Sequence, residues 1–174
     1  MRNQTSKNEE QGRCPGCKLW MPAGSAAANQ GHYNASAECW DLYTETLGEE
    51  YSNAFLHGQV HQFTVSAYAA QHAGGSQPDK VVDIHLCGLY LMLEKGIRSP
   101  YVPPHLQRLS ALTDGWPHFP PPDDRGALTI FDVAICGSVL ERIKTTRKWA
   151  GAVWESWSLY HTELERLVLG HLKL

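Results

Sequence analysis

The sequence predicts an all-α fold, a bundle of four to five helices preceded by an irregular N-terminal segment. Three observations carry this expectation. Apolar residues recur at helical spacing in long stretches, from Phe55 to Gln71, from Val81 to Leu93 and from Trp154 to Val168. Residues suited to helix N-caps stand at Ser36, Ser76, Thr129 and Ser138, just ahead of such stretches. Nothing reads as a pair of alternating strands, apart from short pieces around the N-terminal cysteines.

In chain order, residues 1–12 are polar and read as a disordered tail. Residues 13–40 are rich in Gly, Pro, Ala and Asn and lack sustained periodicity, so they read as a segment pinned by its own ligands. The helical domain spans 36–172. Ser36 opens a helix running to about Glu50, and a second runs from Asn53 to His72 and stops at Gly74-Gly75. Ser76 and Asp79 have capping-box spacing with Pro78 between them, opening a third helix that reaches Gly96. A proline-rich connection follows, with a short helix from about His105 to Leu112. Thr129 and Asp132 repeat the cap pattern before a short apolar helix. Ser138 and Glu141 repeat it before the longest helix, expected to reach about Leu169.

At 174 residues, with 43% hydrophobic and 19% charged residues, the chain can bury a core and has an ordinary globular composition. A net charge of -3 offers no overall basic attraction to nucleic acid or anionic lipid. Arg142, Lys144, Arg147 and Lys148 read as a solvated helix face. No run of eighteen apolar residues is present, so no membrane span is expected. The polar first residues carry no signal-peptide core, and five cysteines with one close pair do not suit a disulfide framework. A cytoplasmic location follows as the expectation, and a homodimer is left open.

The chemistry concentrates first at Cys14-Pro15-Gly16-Cys17, with His32 and Cys39 downstream, in the pattern C-x2-C-x14-H-x6-C. A tight Pro-Gly turn can aim both sulfurs at one ion, and three cysteines with one histidine make a common structural zinc set. Cys39 falls in the first turn of a helix, where unpaired N–H groups favour a thiolate. The expected ligands of a structural Zn²⁺ are therefore Cys14, Cys17, His32 and Cys39. His32 is the weakest of them, because another histidine in space could take its place. A dithiol redox site is the rival reading, but it would follow a strand in an α/β unit.

A second polar site is expected among the helices. His61, Val65, Tyr68 and His72 share one helix face, with His57 four residues before His61. His85 keeps step with Val81, Leu89 and Met92, and His161 with Trp154, Trp157, Leu164 and Val168. Inward imidazoles from facing helices could hold a second divalent metal. The candidates are His61, Tyr68, His72, His85 and His161, against the plainer reading of each as a hydrogen-bonded core residue. Zinc-protease, di-iron, nucleotide-loop and nucleophile-elbow motifs are all absent. No catalytic residue is assigned. The two functional readings are a metal-dependent hydrolase or transferase with a histidine-lined site, and a non-enzymatic zinc-stabilised binding or regulatory adaptor.

Taken together, Cys14 to Cys17, His32-Tyr33, Glu38-Cys39-Trp40, His61 to Val65, Tyr68 with Gln71-His72, His85-Leu86, Arg125 to Thr129 and Trp149 to Trp157 are similar to a bacterial family catalogued as domain of unknown function 5946. The likeness spans Cys14 to about His161. It implies no reaction; it places Cys14, Cys17, His32 and Cys39 in the family's cysteine-rich opening and His61, Tyr68, His72 and His85 in its histidine-bearing helices. The run Pro120-Pro121-Pro122-Asp123-Asp124 is a departure in its proline content.

Overall fold

The computed structural model describes residues 12–21, 33–112 and 115–174. Within them lie seven α-helices and no strands: α1 Ala37–Ser52, α2 Ala54–Gln71, α3 Asp79–Leu93, α4 Val102–Leu112, α5 Ile130–Ala134, α6 Val139–Ser156 and α7 His161–His171. An isolated antiparallel bridge joins Arg13 to Trp20. Of the expected tail at 1–12, residues 1–11 lie outside the described residues, and Gly12 is tied in by its carbonyl, which accepts from Met21 N at 2.9 Å.

The helix ends follow the side chains that satisfy them. Ser36 Oγ accepts from Cys39 N at 3.2 Å and starts α1. Asn53 closes α1 and also caps α2, its Oδ1 accepting from Leu56 N at 3.1 Å, so the two helices turn back on each other within one residue. Thr129 and Asp132 form a reciprocal capping box on α5, and Ser138 caps α6 through Glu141 N. The Ser76 cap is not made: Pro78 takes the N-cap position of α3 with no side-chain bond, leaving Ser76 two residues too far upstream. Gly74, Gly75 and Gly96 adopt positive φ at the turns after α2 and α3.

The last helix is not continuous. Past Ser156 the chain tightens into a 3-10 turn at Ser158–Tyr160 before α7 begins. His161 Nε2 donates to the Trp154 carbonyl at 3.0 Å, which also accepts from Trp157 N at the end of α6. The bend folds α7 back on α3, where Leu164 and Val168 are buried; a straight helix would carry them away from the core.

α2 is the central helix, packed against α1, α3 and α6. Trp149, Trp154 and Trp157 are buried with Leu86, Leu89, Leu91 and Leu109, so the indoles are core, as their helical spacing suggests. Cys87 is likewise a buried packing residue. The proline-rich connection packs over the bundle, with Phe119 against Tyr160 and Tyr160 Oη donating to the Pro120 carbonyl. Lys144, Arg147 and Lys148 are exposed, but Arg142 departs from the solvated face: it is buried and pairs with Glu49 of α1.

Candidate metal centre

Residues 12–21 fold back on themselves. Cys14 N donates to the Leu19 carbonyl at 2.8 Å, Lys18 N to the Cys14 carbonyl at 3.0 Å and Met21 N to the Gly12 carbonyl at 2.9 Å. This knuckle, with Lys18 at φ 65°, turns the Cys14 and Cys17 side chains inward together. It sits over one end of the α1–α2 hairpin, where α1 starts and α2 stops. Cys39 comes from the first turn of α1 and His72 is the C-cap of α2. Asn34 N donates to the His72 carbonyl at 3.1 Å and ties the incoming strand of chain to the same place.

One ligand atom from each of Cys14, Cys17, Cys39 and His72 lies within 4.8 Å of all the others, and all four residues are buried. Cys39 Sγ is 3.3 Å from His72 Nε2 and 3.8 Å from Cys17 Sγ. His72 Nδ1 donates to the Tyr68 carbonyl at 2.8 Å, which assigns the proton to Nδ1 and turns the Nε2 lone pair toward the sulfurs. Tyr68 Oη donates to Cys39 Sγ at 3.6 Å, and its ring stacks on His72 at 3.9 Å and on Tyr43 at 3.8 Å. Tyr33 and Trp40 complete an aromatic wall that keeps the cluster dry.

The sulfurs share charge unequally. Bonds from Cys17 first, then Cys39, hold the Cys14 thiol far below its ordinary range. Cys17 is pushed up to about 12 and Cys39 higher still, in both cases chiefly by hydrogen bonding with Cys14. Burial raises the Tyr68 phenol, reinforced by Cys39. Three touching sulfurs hold one negative charge readily and more only beside a cation, so a divalent ion would bind here by displacing protons.

Of the expected cysteine-site residues, Cys14, Cys17 and Cys39 come together. The imidazole among them is His72, while His32 lies outside the described residues. The expected bundle site does not assemble. Tyr68 and His72 belong to the cysteine cluster instead. His61 Nδ1 donates to the buried Glu50 carboxylate at 2.9 Å, its Nε2 accepts from Tyr51 Oη at 3.3 Å, and its ring stacks on His57. His85 Nδ1 faces Ser66 Oγ at 3.4 Å, and burial pushes the imidazole down to about 4. His161 stacks on Trp154 at 3.8 Å. His61, His85 and His161 thus each have partners of their own outside the cluster. Among the described residues, the Cys14–Cys17–Cys39–His72 set is the one group of three or more ligating side chains close enough to share an ion.

Two further residues, neither of them among the expected ligands, serve the site. Gln71 Nε2 donates to the Arg125 and Leu128 carbonyls at 2.8 and 2.7 Å, and its Oε1 accepts from Trp149 Nε1 at 3.0 Å. Arg125 Nη1 in turn donates to the Gln71 and Ala73 carbonyls, flanking His72 on both sides. The Arg125–Leu128 loop thereby fixes the end of α2 that presents the imidazole.

The fold and site define a helical protein with a buried Cys3His cluster able to hold a metal ion. No helix among the described residues is long and apolar enough to cross a membrane. The chain belongs to a family of unknown function, DUF5946, whose model matches residues 12–158. No curated protein and no solved structure matches it.

Proposed function

We propose that this chain is a zinc-stapled helical protein in which Cys14, Cys17, Cys39 and His72 hold one structural Zn²⁺, and that it works as a non-enzymatic binding or regulatory adaptor. One observation carries the reading: four buried ligand atoms lie within 4.8 Å of one another. Three thiolates and an imidazole fill a zinc tetrahedron and leave no position for water or substrate. Soft sulfur ligands favour zinc over calcium or magnesium. The five free cysteines suit a reducing compartment such as the cytoplasm.

The ion would tie the 12–21 knuckle to the start of α1 and the end of α2, beside the Tyr43–Tyr68 stack that already packs the two helices together. The alternative, a metal-dependent hydrolase or transferase, calls for His61, His72, His85 or His161 to converge around an open position. Their separate partners, Glu50, the cysteine sulfurs, Ser66 and the Trp154 carbonyl, weigh against it.

The test is elemental mass spectrometry of untagged protein, comparing wild type with Cys14→Ser/Cys17→Ser and with His61→Ala/His85→Ala. About one zinc per chain, lost in the cysteine variant and kept in the histidine variant, is expected. A second equivalent lost only in the histidine variant would overturn the adaptor reading. Metal-free wild type, prepared without chelator, would overturn the zinc site itself.

A further inference from the structure

We infer that the cavity between α2, α6 and the turn after α3 binds a small organic anion with an apolar body, such as an acyl or aryl carboxylate. This site is independent of the cysteine cluster. It encloses about 330 Å³, with Phe63, Met92 and Ile97 among its apolar walls and Arg98 and Arg147 on its lining; none of its lining residues is acidic. That size suits a small ligand rather than a stray water.

The two arginines carry the charge argument. Arg147 Nη2 donates to Gln59 Oε1 at 2.9 Å, and its guanidinium stands 5.8 Å from the centre of the Phe63 ring. Arg98 lies over Tyr101, 5.7 Å from its ring centre. Neutral partners thus position both groups, and neither is in an ion pair among the described residues. Two guanidiniums beside one partly apolar cavity, which Gln59 and Ser99 also line, match a carboxylate head with hydrocarbon behind it, because the planar fork recognises such oxygens in pairs.

Gly58 supplies the steric argument. It sits in the second turn of α2, where glycine costs about 1 kcal/mol relative to alanine. Its φ is not positive, and a Cβ there would meet nothing within 4 Å, so neither backbone conformation nor close packing explains the residue. It does line the cavity, as Gly96 does. A Cβ added here would enter open space at the lining of the cavity.

The test titrates 8-anilino-1-naphthalenesulfonate by fluorescence, with N-phenyl-1-naphthylamine, the same body without the sulfonate, as the uncharged control. Octanoate serves as the competitor. Wild type should bind the sulfonate saturably, release it to octanoate and bind the neutral dye at least about tenfold more weakly. Arg98→Gln/Arg147→Gln should weaken the sulfonate about tenfold or more. Gly58→Leu should abolish binding while retaining helical circular dichroism and an equal or higher melting temperature. Equal affinity for the two dyes, failure of octanoate to compete, or wild-type affinity in either folded variant would overturn the proposal.

Discussion

Cys39 Sγ lies 3.3 Å from His72 Nε2, although all but the first turn of α1 and the whole of α2 separate them in sequence. The contact follows from the Asn53 turn, which sends α2 back along α1 so that the start of one helix meets the end of the other. If His72 is the fourth ligand, His72→Ala should lower zinc affinity by more than the roughly 10–100-fold typical of losing an outer-shell partner. His32→Ala should leave it unchanged. Competition with a chromophoric chelator measures both, and loss of affinity in the His32 variant alone would reverse the assignment.

Gly16 provides a second check on the same geometry. A Cβ on this residue would stand 2.5 Å from both His72 Cδ2 and the Asn34 carbonyl oxygen, contacts that neither backbone nor ring can relieve without moving the knuckle. Gly16→Ala should therefore destabilise the metal-loaded protein by about 1–3 kcal/mol, the usual cost of overpacking. The deficit should shrink after chelator treatment, because the knuckle is then no longer held against His72. Thermal melts of loaded and stripped protein, each variant against wild type, measure the difference.

The helices were legible in the sequence where local chemistry decides their ends. Ser36, Thr129 and Ser138 cap where their side chains predict, because an N-cap bond is made within a few residues, whereas Ser76 stands too far ahead of its helix to cap it. The split between α6 and α7 was not legible. Trp154, Trp157, His161, Leu164 and Val168 keep helical spacing straight through it, and the bend answers to burial against α3, which periodicity does not record. Three of the four cluster residues were legible from the Cys-x-x-Cys turn and the cap at Ser36. Periodicity puts His72 in a different site, because it assigns a helix face but not the neighbour that face meets. Pairing the helices across Asn53 supplies the missing step.

Gln71 shows how much the imidazole's position depends on a residue that ligates nothing. It is fully buried and makes three hydrogen bonds, to the Arg125 carbonyl, the Leu128 carbonyl and the Trp149 indole. Truncation to alanine leaves an indole N–H and two carbonyls to find new partners in a dry environment, at about 1–3 kcal/mol for each group left unpaired. Gln71→Ala should thus lower the free energy of unfolding by about 3 kcal/mol or more in urea titration. Gln71→Glu should be no better, since an ionised carboxylate has no donor for the two carbonyls.

Asp83 on α3 sets a pH dependence that the metal site does not. Its carboxylate is buried, neither oxygen has a hydrogen-bond partner, and loss of solvation pushes it up to about 7, with Asp79 adding repulsion and His118 opposing it. The folded protein holds this proton more tightly than the unfolded chain, whose aspartate titrates near an ordinary value of about 4. Between those values the native state binds more protons than the unfolded state, so the Asp83 contribution to stability falls as pH rises. It is fully present below about pH 4 and gone above about pH 7. Zinc binding runs the other way, because acid protonates the cysteines, so wild type alone would mix the two effects. The difference between wild type and Asp83→Asn separates them. The two should have closest stability near pH 4–5, and the asparagine variant should gain up to about pH 7 and level off by pH 8 in urea titrations. A difference that stays flat across that range would mean the carboxylate is charged in the fold throughout, with its negative charge compensated in place.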